Sequence, residues 1–571
     1  MDFREELIKL IVKETNFSNS EIDSLLTIPP QGLGDFALPC FIISKKNKKN
    51  PIIVAEELSK IITADFLEKV VANGAYINFF VSKSILSTIV LENIFSNKHN
   101  FGSNQGTVMV EYSSPNTNKP LHLGHLRNNA LGLAISNLLE FTGHQVIKAN
   151  LINDRGIHIC KSMLAYKLFG DNKNPQSEGM KSDHFVGSMY VLFDKMNKEK
   201  PELKLEELAQ KMLVDWENED NETILLWKKM NSWAISGMNE TYAEFGTTFN
   251  KTFLESEMFG KGNMTELLKE GFDKGVFKKE DNGAITAILE DEGLPNKIIV
   301  RGDGTSLYAT NDLLLTQLKF DEFKLDKNMW VVANEQDLYF KQLFKIFEKL
   351  GREWAKKCYH LSYGYVSLTS GRMKSREGTV VDADNLIKDL KEIALTEINS
   401  RYDNLSDIEK DSRAKLIALS AIKFFLLKND AKKDMVFNPQ ESISFEGETG
   451  PYLQYTFARA KSILRKASKE KIICTHTNFD LLVNYKEKEL LLELQKFDEN
   501  VIKSFEQLSL HSLAHNLLAI AEKFNSYYHD VPILKSDSKE LLNARLSLVE
   551  ATTIVLEKGF KILDIVAIEE M

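Results

Sequence analysis

Four cysteines in 571 residues, at 40, 160, 358 and 474, are too few and too scattered for a disulfide framework, and no two form the CxxC pair of a zinc ribbon. Reduced thiols, a cytosolic location and no structural zinc follow as expectations. No apolar run is long enough to cross a bilayer. The opening MDFREELIKLIVKE mixes charge with apolar residues at helical spacing, so neither a signal peptide nor a membrane span is expected there. Positive charge is in deficit too: 72 Lys and Arg against 81 Asp and Glu leave −9. Indiscriminate coating of nucleic acid, which rests on phosphate neutralisation, is thereby excluded, although a specific RNA partner held by local patches is not. Repeats and low-complexity tracts are absent. A 43% hydrophobic share is ordinary for packed globular domains, and at this length three or four are expected.

What is present is organised around VMVEYSSPNTNKPLHLGHLRNNALGLAISNLLEFTGHQVIKA, from Val108 to Ala149, which reads as strand, loop, helix and strand. The Ser-, Pro- and Asn-rich loop after Val108–Val110 opens at the carboxyl end of a strand, where open α/β sheets bind ligands. Pro120 is expected at the helix start and Gly143 at its end. His122 and His125 stand three apart on one helical face, Gly124 admits a ligand close to the backbone, and the helix terminus adds amide donors. These features predict a polyphosphate cradle. Taken alone, His-x-x-His is equally a metal pair or two solvated histidines. No Cys or acidic cluster at ligand spacing accompanies it, which weakens the metal reading.

Glu111-Tyr112-Ser113-Ser114-Pro115-Asn116, Lys119-Pro120 and His122-Leu123-Gly124-His125 together resemble the signature of class I aminoacyl-tRNA synthetases, and within them of the arginyl enzymes. Later motifs extend the resemblance over nearly the whole chain. Tyr308-Ala309-Thr310-x-Asp312 resembles the motif whose Tyr and Asp hold the substrate guanidinium, and Gln336 matches the substrate-site glutamine. Where the family has His-Phe this chain has Tyr339-Phe340, so no role is carried to that position. His360 to Val366 is similar to the last sheet strand, whose backbone contacts adenine. Gly371-Arg372-Met373-Lys374-Ser375-Arg376 stands in the place of the K-M-S-K-S loop, with Ser375 where the second lysine belongs. Arginyl enzymes commonly lack that lysine, and the resemblance gives its role to a lysine before the histidine motif, here Lys119.

The resemblance implies an α/β fold: a class I Rossmann-type parallel-sheet catalytic domain with an inserted subdomain, a small α+β N-terminal domain, and an all-α C-terminal anticodon-binding domain. The expected boundaries are 1–106, 107–386 with an insertion at about 157–294, a helical connection over 387–448, and 449–571. Ile298 to Thr310 reads as two short strands about an Asp-Gly turn, with Asn311-Asp312 opening a helix; Asp312 by itself is also explained as a charge at a helix start. Trp216, Trp227 and Trp233 fit the core of a helical insertion. Gly34-Asp35-Phe36-Ala37 looks like part of the domain that contacts the tRNA elbow. Lys45, Lys46, Lys48 and Lys49 fit phosphate contact or a solvated loop equally well. Helices are expected throughout from Ile387 on. Lys461, Arg465 and Lys469, four apart, form a stripe that is either a solvated face or an RNA contact. Glu448 to Arg459, which resembles the opening of the anticodon-binding domain, favours the second.

Implied chemically is arginine plus ATP, with Mg2+ on the nucleotide, to arginyl-adenylate and diphosphate, then transfer to the 3′ end of tRNA(Arg) by a monomer. Phosphoryl chemistry of this kind needs alignment and charge neutralisation rather than a protein nucleophile. The catalytic candidates are His122, His125, Lys119 and Arg376. ATP is expected on His122, Gly124, His125, Gly364, Val366, Met373, Lys374 and Ser375. Arginine is expected on Glu111, Ser114, Asn116, His125, Tyr308, Asp312 and Gln336, since a guanidinium fork matches carboxylate and amide acceptors that an ammonium cannot satisfy. That selectivity makes an editing domain unnecessary. Gln454, Tyr455, Arg459, Lys461 and Arg465 are expected on tRNA. The competing readings are a class I synthetase for another amino acid, a small-molecule nucleotidyltransferase, and a catalytically silent RNA-binding paralogue.

Overall fold

Helices Phe3–Glu14 and Asn19–Leu25 lead into an antiparallel sheet of β1 (Phe36–Pro39), β2 (Leu67–Asn73) and β3 (Tyr76–Val81), in the order β1-β3-β2. The computed structural model describes residues 3–30, 32–96, 105–258, 264–302, 308–368, 381–401 and 405–571. Leu7, Ile11, Leu38, Ile43, Val54 and Phe79 close a small core of their own over this sheet. Its turn residue Asp35 accepts from the Val81 amide and from the buried Lys488 ammonium at 2.6 Å, which ties the N-terminal region to helix Tyr485–Gln507. Of the four lysines after β1, Lys46 donates to the Asn16 carbonyl and Lys49 pairs with Glu57.

The central sheet is parallel. β4 (Thr107–Glu111) pairs with β5 (Gln145–Ile152), and the intervening helix Leu123–Phe141 makes the expected right-ordered βαβ unit. Almost every apolar residue of that helix is buried, including Leu126, Leu133, Ala134 and Leu138, each large aliphatic contributing about 1.5–3 kcal/mol. Gly132 is required because a Cβ there would overlap the Tyr112 ring, which seats the loop after β4 directly on the helix. Gly143, at φ +93°, ends it as expected. Pro120 does not start it: His122 is the N-cap, and Pro120 lies in the entering loop.

Residues 157–294 are not one helical insertion. Helices Ile157–Phe169, Ser182–Glu199, Leu205–Glu217 and Asn221–Phe245 do form a cluster around Phe185, Phe193, Leu205 and Met230, with Trp216 buried and Trp227 and Trp233 packed beside it. The chain then returns as β6 (Lys251–Leu254), parallel to β5 at the sheet edge. Four residues with only Phe253 buried give too weak a pattern to read as a strand. Next come β7 (Phe277–Lys279), β8 (Ile285–Ala287) and β9 (Lys297–Val300), a separate antiparallel sheet. Tyr308, Ala309 and Thr310 belong to helix Tyr308–Phe323 rather than to a second strand.

β10 (Lys327–Ala333) and β11 (Cys358–Tyr363) complete the five-stranded order β11-β10-β4-β5-β6. The strand expected to run on to Val366 breaks at Gly364, and β12 (Val366–Leu368) instead pairs with β13 (Met435–Phe437), a strand inside the half expected to be wholly helical. The fully buried Arg127 explains the detour: its guanidinium donates to the carbonyls of Tyr365, Ala431 and Lys433 at 2.6–2.8 Å and gathers both segments onto the histidine-bearing helix. Helices Gly450–Lys469, Tyr485–Gln507, His511–Asp530 and Lys539–Ile562 close the chain and share one continuous core with helix Leu123–Phe141. Among the described residues no helix is long and apolar enough to cross a membrane.

Candidate active site

At the carboxyl end of the parallel strands the loop 112–121 turns back over helix Leu123–Phe141. Ser113 and Ser114 both take left-handed backbone, φ +73° and +47°, a strained pair of the kind that persists where the surroundings over-determine it. The Ser113 amide donates to Asn128 and the Ser114 amide to Asn150 at 3.1 Å. Asn116 bridges in parallel to Asn153, whose side chain donates to the Ser114 carbonyl. The Ser114 and Asn116 loop is thus held from both sides.

His122 folds its ring back so that Nδ1 accepts from the Gly124 amide at 3.1 Å, and the His122 amide donates to His125 Nδ1 at 3.1 Å. Gly124 is needed for this fold, since a Cβ would lie 2.9 Å from His122 Cε1. Burial, then the Lys119 charge, lowers His122 to about 4, and burial with His122 and Lys119 takes His125 well below the ordinary imidazole range. Both rings are therefore neutral near pH 7. With Nδ1 accepting, each must carry its proton on Nε2, which presents two N–H donors to an anion. The expectation of free helix-terminal amides needs correction. Leu123 N donates to the Val381 carbonyl, Gly124 N to His122 Nδ1 and His125 N to the His122 carbonyl, so the first turn offers imidazole N–H groups in their place.

Lys119 is exposed, lacks an ion-pair partner among the described residues, and has its pKa lowered by the surrounding walls. His158, which opens helix Ile157–Phe169 within range of the Lys119 charge, brings a buried Nε2 without a partner. Gly364 donates its amide to Ala431 and Val366 pairs in register with Met435, so the expected adenine-side backbone is partly engaged by the chain itself. Met373, Lys374, Ser375 and Arg376 lie outside the described residues.

The acidic half of the site is richer than the sequence reading made it. Glu111, at the end of β4, is buried against the Lys319 ammonium, a side chain only 1% exposed. Lys319 lies two helical turns after Asp312, and nothing in its sequence context marks it. Asp312 accepts from the Tyr339 hydroxyl, and burial, opposed by that bond and reinforced by Glu111, pushes its carboxyl up to about 6. Tyr339 is thus part of the site, at the position to which no role was carried. Tyr308 stands one turn before Asp312, and Gln336 is exposed in the turn after β10. Glu255, the residue after β6, escaped the sequence reading because β6 did. Asn311 donates to its Oε1 at 3.3 Å, its Oε2 is buried with no partner among the described residues, and burial, opposed by the Arg155 charge and reinforced by Asp312 and Asp154, pushes it up to about 7.

The expected tRNA residues divide. Arg459 stacks over Tyr455 and Tyr528 at 4.6 and 5.1 Å and donates to the Tyr455 hydroxyl and Asn525, beside an open groove shared with Tyr452, Phe445 and Gln440. Gln454, in contrast, is fully buried and donates to the Val566 carbonyl at 2.7 Å, so it is not a surface contact. Lys461 pairs with Glu569, and Arg465 with Glu570 and the Glu569 carbonyl, so the stripe holds the C-terminal tail. Two groups of described residues bring three ligating atoms within 4.8 Å of one another: Cys474, His476 and Glu550, and Asp183, His184 and Asp384. In the first, the imidazole already donates to Glu550 and stacks on Phe95; in the second, the Lys181 ammonium lies 2.6 Å from Asp384 and makes an ion-pair network.

Comparison with known proteins agrees with this geometry. The family model for the class I (R) tRNA synthetase catalytic domain matches residues 89–439, that for the DALR anticodon binding domain 453–571, and that for the arginyl tRNA synthetase N terminal domain 2–81. The arginine–tRNA ligase of Treponema denticola is 45% identical over 560 residues, 95% of this chain and 94% of that one, and that of Bacteroides fragilis 40% identical over 561 residues, 93% of each. The solved arginyl-tRNA synthetase of Thermus thermophilus superposes with a TM-score of 0.81 at 26% identity over 99% of both chains. With a catalytic-domain match over more than half of its length and such relatives over nearly all of it, the chain belongs to the arginyl-tRNA synthetases, class I ligases that join arginine to tRNA.

Proposed function

We propose that the chain condenses L-arginine with ATP, brought in as its magnesium complex, and esterifies the terminal ribose of tRNA(Arg), as a monomer in the cytoplasm. In the first step an arginine carboxylate oxygen attacks the α-phosphorus, the bond to the bridging β-oxygen breaks, and diphosphate leaves with the electron pair. In the second a ribose hydroxyl attacks the acyl carbon and AMP leaves. His122 and His125 donate Nε2–H to the phosphates, while Lys119, with Arg376 beyond the described residues, supplies the cation that Ser375 cannot. Adenine lies on the Gly364–Val366 side, with Met373 and Lys374 beyond the described residues.

The observation that carries the substrate choice is the Glu255–Asp312 pair: two neighbouring carboxyls, Glu255 buried and Asp312 half-buried, the first with an oxygen that nothing among the described residues satisfies. A guanidinium, always charged and forked, matches two such groups at once. Tyr339 orients Asp312, while Tyr308, Glu111, Ser114, Asn116 and Gln336 complete the arginine site. The division of labour follows the expected boundaries, with 1–106 at the tRNA elbow and 449–571 at the anticodon through Tyr455 and Arg459. Four free thiols suit a reducing compartment.

The test is ATP–diphosphate exchange with each amino acid in turn, with and without total tRNA. Exchange should depend on arginine alone. Exchange with a different amino acid, or none under any condition, ends the reading, the second outcome pointing to a silent RNA-binding paralogue.

A further inference from the structure

Helix Ser182–Glu199 touches both flanks of His122. At Gly187 it meets the entering loop so closely that a Cβ would lie 2.8 Å from Pro120 Cδ and 3.6 Å from Lys119 Cα. At its first turn His184 Nε2 lies 3.0 Å from Asp384 Oδ2 and 3.3 Å from Asp382 Oδ2. Asp382 is the middle residue of a short antiparallel bridge to His122, in which Leu123 N donates to the Val381 carbonyl at 2.8 Å and Ala383 N to the Leu121 carbonyl at 3.0 Å. Asp382 also accepts from Asn385 N at the start of helix Ala383–Arg401, so the segment is anchored at a helix terminus. Lys181 donates to Asp384 at 2.6 Å and Thr241, from helix Asn221–Phe245, donates to the same carboxylate at 2.9 Å.

We propose that His184 is a positioning residue for adenylation: by bridging Asp382 and Asp384 it holds Val381–Ala383 against Leu121–Leu123 and so fixes the ring of His122 for the phosphates. The inference rests on the reading of His122 as a phosphate donor. Its logic is one of charge. Asp183 and Asp384 pair with the Lys181 ammonium, and Asp382 and Asp384 with His184, so among these three carboxylates a protonated imidazole leaves one negative charge uncompensated and a neutral one leaves two. The bond to Asp384 holds His184 above the ordinary imidazole range despite burial. Against its own burial, the bonds from His184 and Lys181 hold Asp384 at about 2. The cation is shared by two carboxylates two residues apart at the start of helix Ala383–Arg401, which is why a neutral donor of similar shape cannot replace it. Leu123 N, the first amide of the helix, is the group whose loss would matter most: released from Val381, it leaves the His122 cap unanchored on one side.

Three variants test this in the full chain. His184→Gln keeps a donor without charge, His184→Arg keeps the charge at every pH, and His122→Ala reports the parent reading. His184→Gln should lower kcat for arginine-dependent exchange about tenfold, the loss of one charge-assisted bond, with the KM for arginine unchanged. It should also speed amide hydrogen exchange about tenfold in peptides spanning 121–126 and 381–386. Wild-type kcat should fall as pH rises through the His184 pKa, and His184→Arg should restore kcat and remove that fall. Unchanged amide protection with unchanged kcat in His184→Gln overturns the proposal, as does a loss in which the arginine KM and the thermal midpoint fall together and Arg restores nothing. If His122→Ala exchanges normally, the phosphate reading fails instead, and the amide protection at 381–386 still decides whether His184 holds the segment.

Discussion

Replacing Glu255 by glutamine should stabilise the empty enzyme and cripple it. Glu255 is 6% exposed, its Oε2 has no partner among the described residues, and burial raises it from an ordinary carboxyl to about 7. A carboxyl raised in the folded state favours folding fully only below its unfolded pKa, and that contribution is lost as pH climbs through the folded one. From 4.5 to about 7, at about 1.4 kcal/mol per unit, the penalty reaches roughly 3.4 kcal/mol at pH 8.5 and vanishes near pH 4. Glutamine removes the ionisation and keeps the shape. Thermal midpoints of Glu255→Gln and wild type should therefore coincide near pH 4 and diverge as pH rises, the variant melting higher at pH 8.5. Saturating arginine should raise the wild-type midpoint at pH 8.5, since a ligand that binds the ionised native form offsets the penalty. It should leave the variant unmoved, and the arginine KM should rise at least a hundredfold with the ATP KM little changed. Wild type should show the same dependence in pH, its arginine KM rising as pH falls below about 7. A variant that melts below wild type at pH 8.5 while binding arginine normally would refute both the burial argument and the guanidinium role.

Lys119→Ala should lower the single-turnover rate of adenylation by about two to three orders of magnitude with little change in arginine affinity, and a lysine at Ser375 should recover part of it; near-normal adenylation would move the charge to Arg376 or Lys374. Arg459→Ala should weaken tRNA binding about tenfold, the value of one lost stacking platform, whereas Lys461→Glu should lower the thermal midpoint and change tRNA affinity less than twofold, because it repels Glu569 rather than RNA. A strong tRNA defect in Lys461→Glu alone would restore the stripe as the contact.

Local rules made the βαβ unit legible, because its strand, loop and helix are each announced by adjacent residues and Gly143 stops the helix where it stands. What escaped depends on residues far apart in the chain. β6 is four residues long and exists because β5 offers an edge beside it; with β6 went Glu255, which only the sheet places next to Asp312. Lys319 reads as one more charge on an amphipathic helix until the strand end brings Glu111 against it. Arg127 sits in a run of leucines and alanines, and its three carbonyl partners lie more than 230 residues away. The stripe shows the opposite case: spacing placed Lys461 and Arg465 on one face, and what spacing could not show is that the last residues of the chain bring acid to that face.

In both halves of the site the surroundings shift ionisable groups toward their neutral forms, and each half suits a ligand of opposite sign. On the phosphate side burial leaves His122 and His125 uncharged and the surrounding walls lower Lys119; on the guanidinium side burial brings Glu255 and Asp312 up to about 7 and 6. Fully charged but unpaired, either half would cost several kcal/mol of native stability, since a desolvated ion without a partner is the most expensive group a fold can contain. The nucleotide's negative charge raises the proton affinity of the first set, and the substrate's cation lowers that of the second. Arginine therefore completes the ionisation that Glu255 and Asp312 need for binding it, while the neutral imidazole donors that stabilise the transition state are already oriented when charge develops. Arginine binding should accordingly release protons at pH 6–7. Calorimetry in two buffers of different ionisation enthalpy would measure that release, and a buffer-independent heat would show that Glu255 and Asp312 are already ionised in the empty pocket.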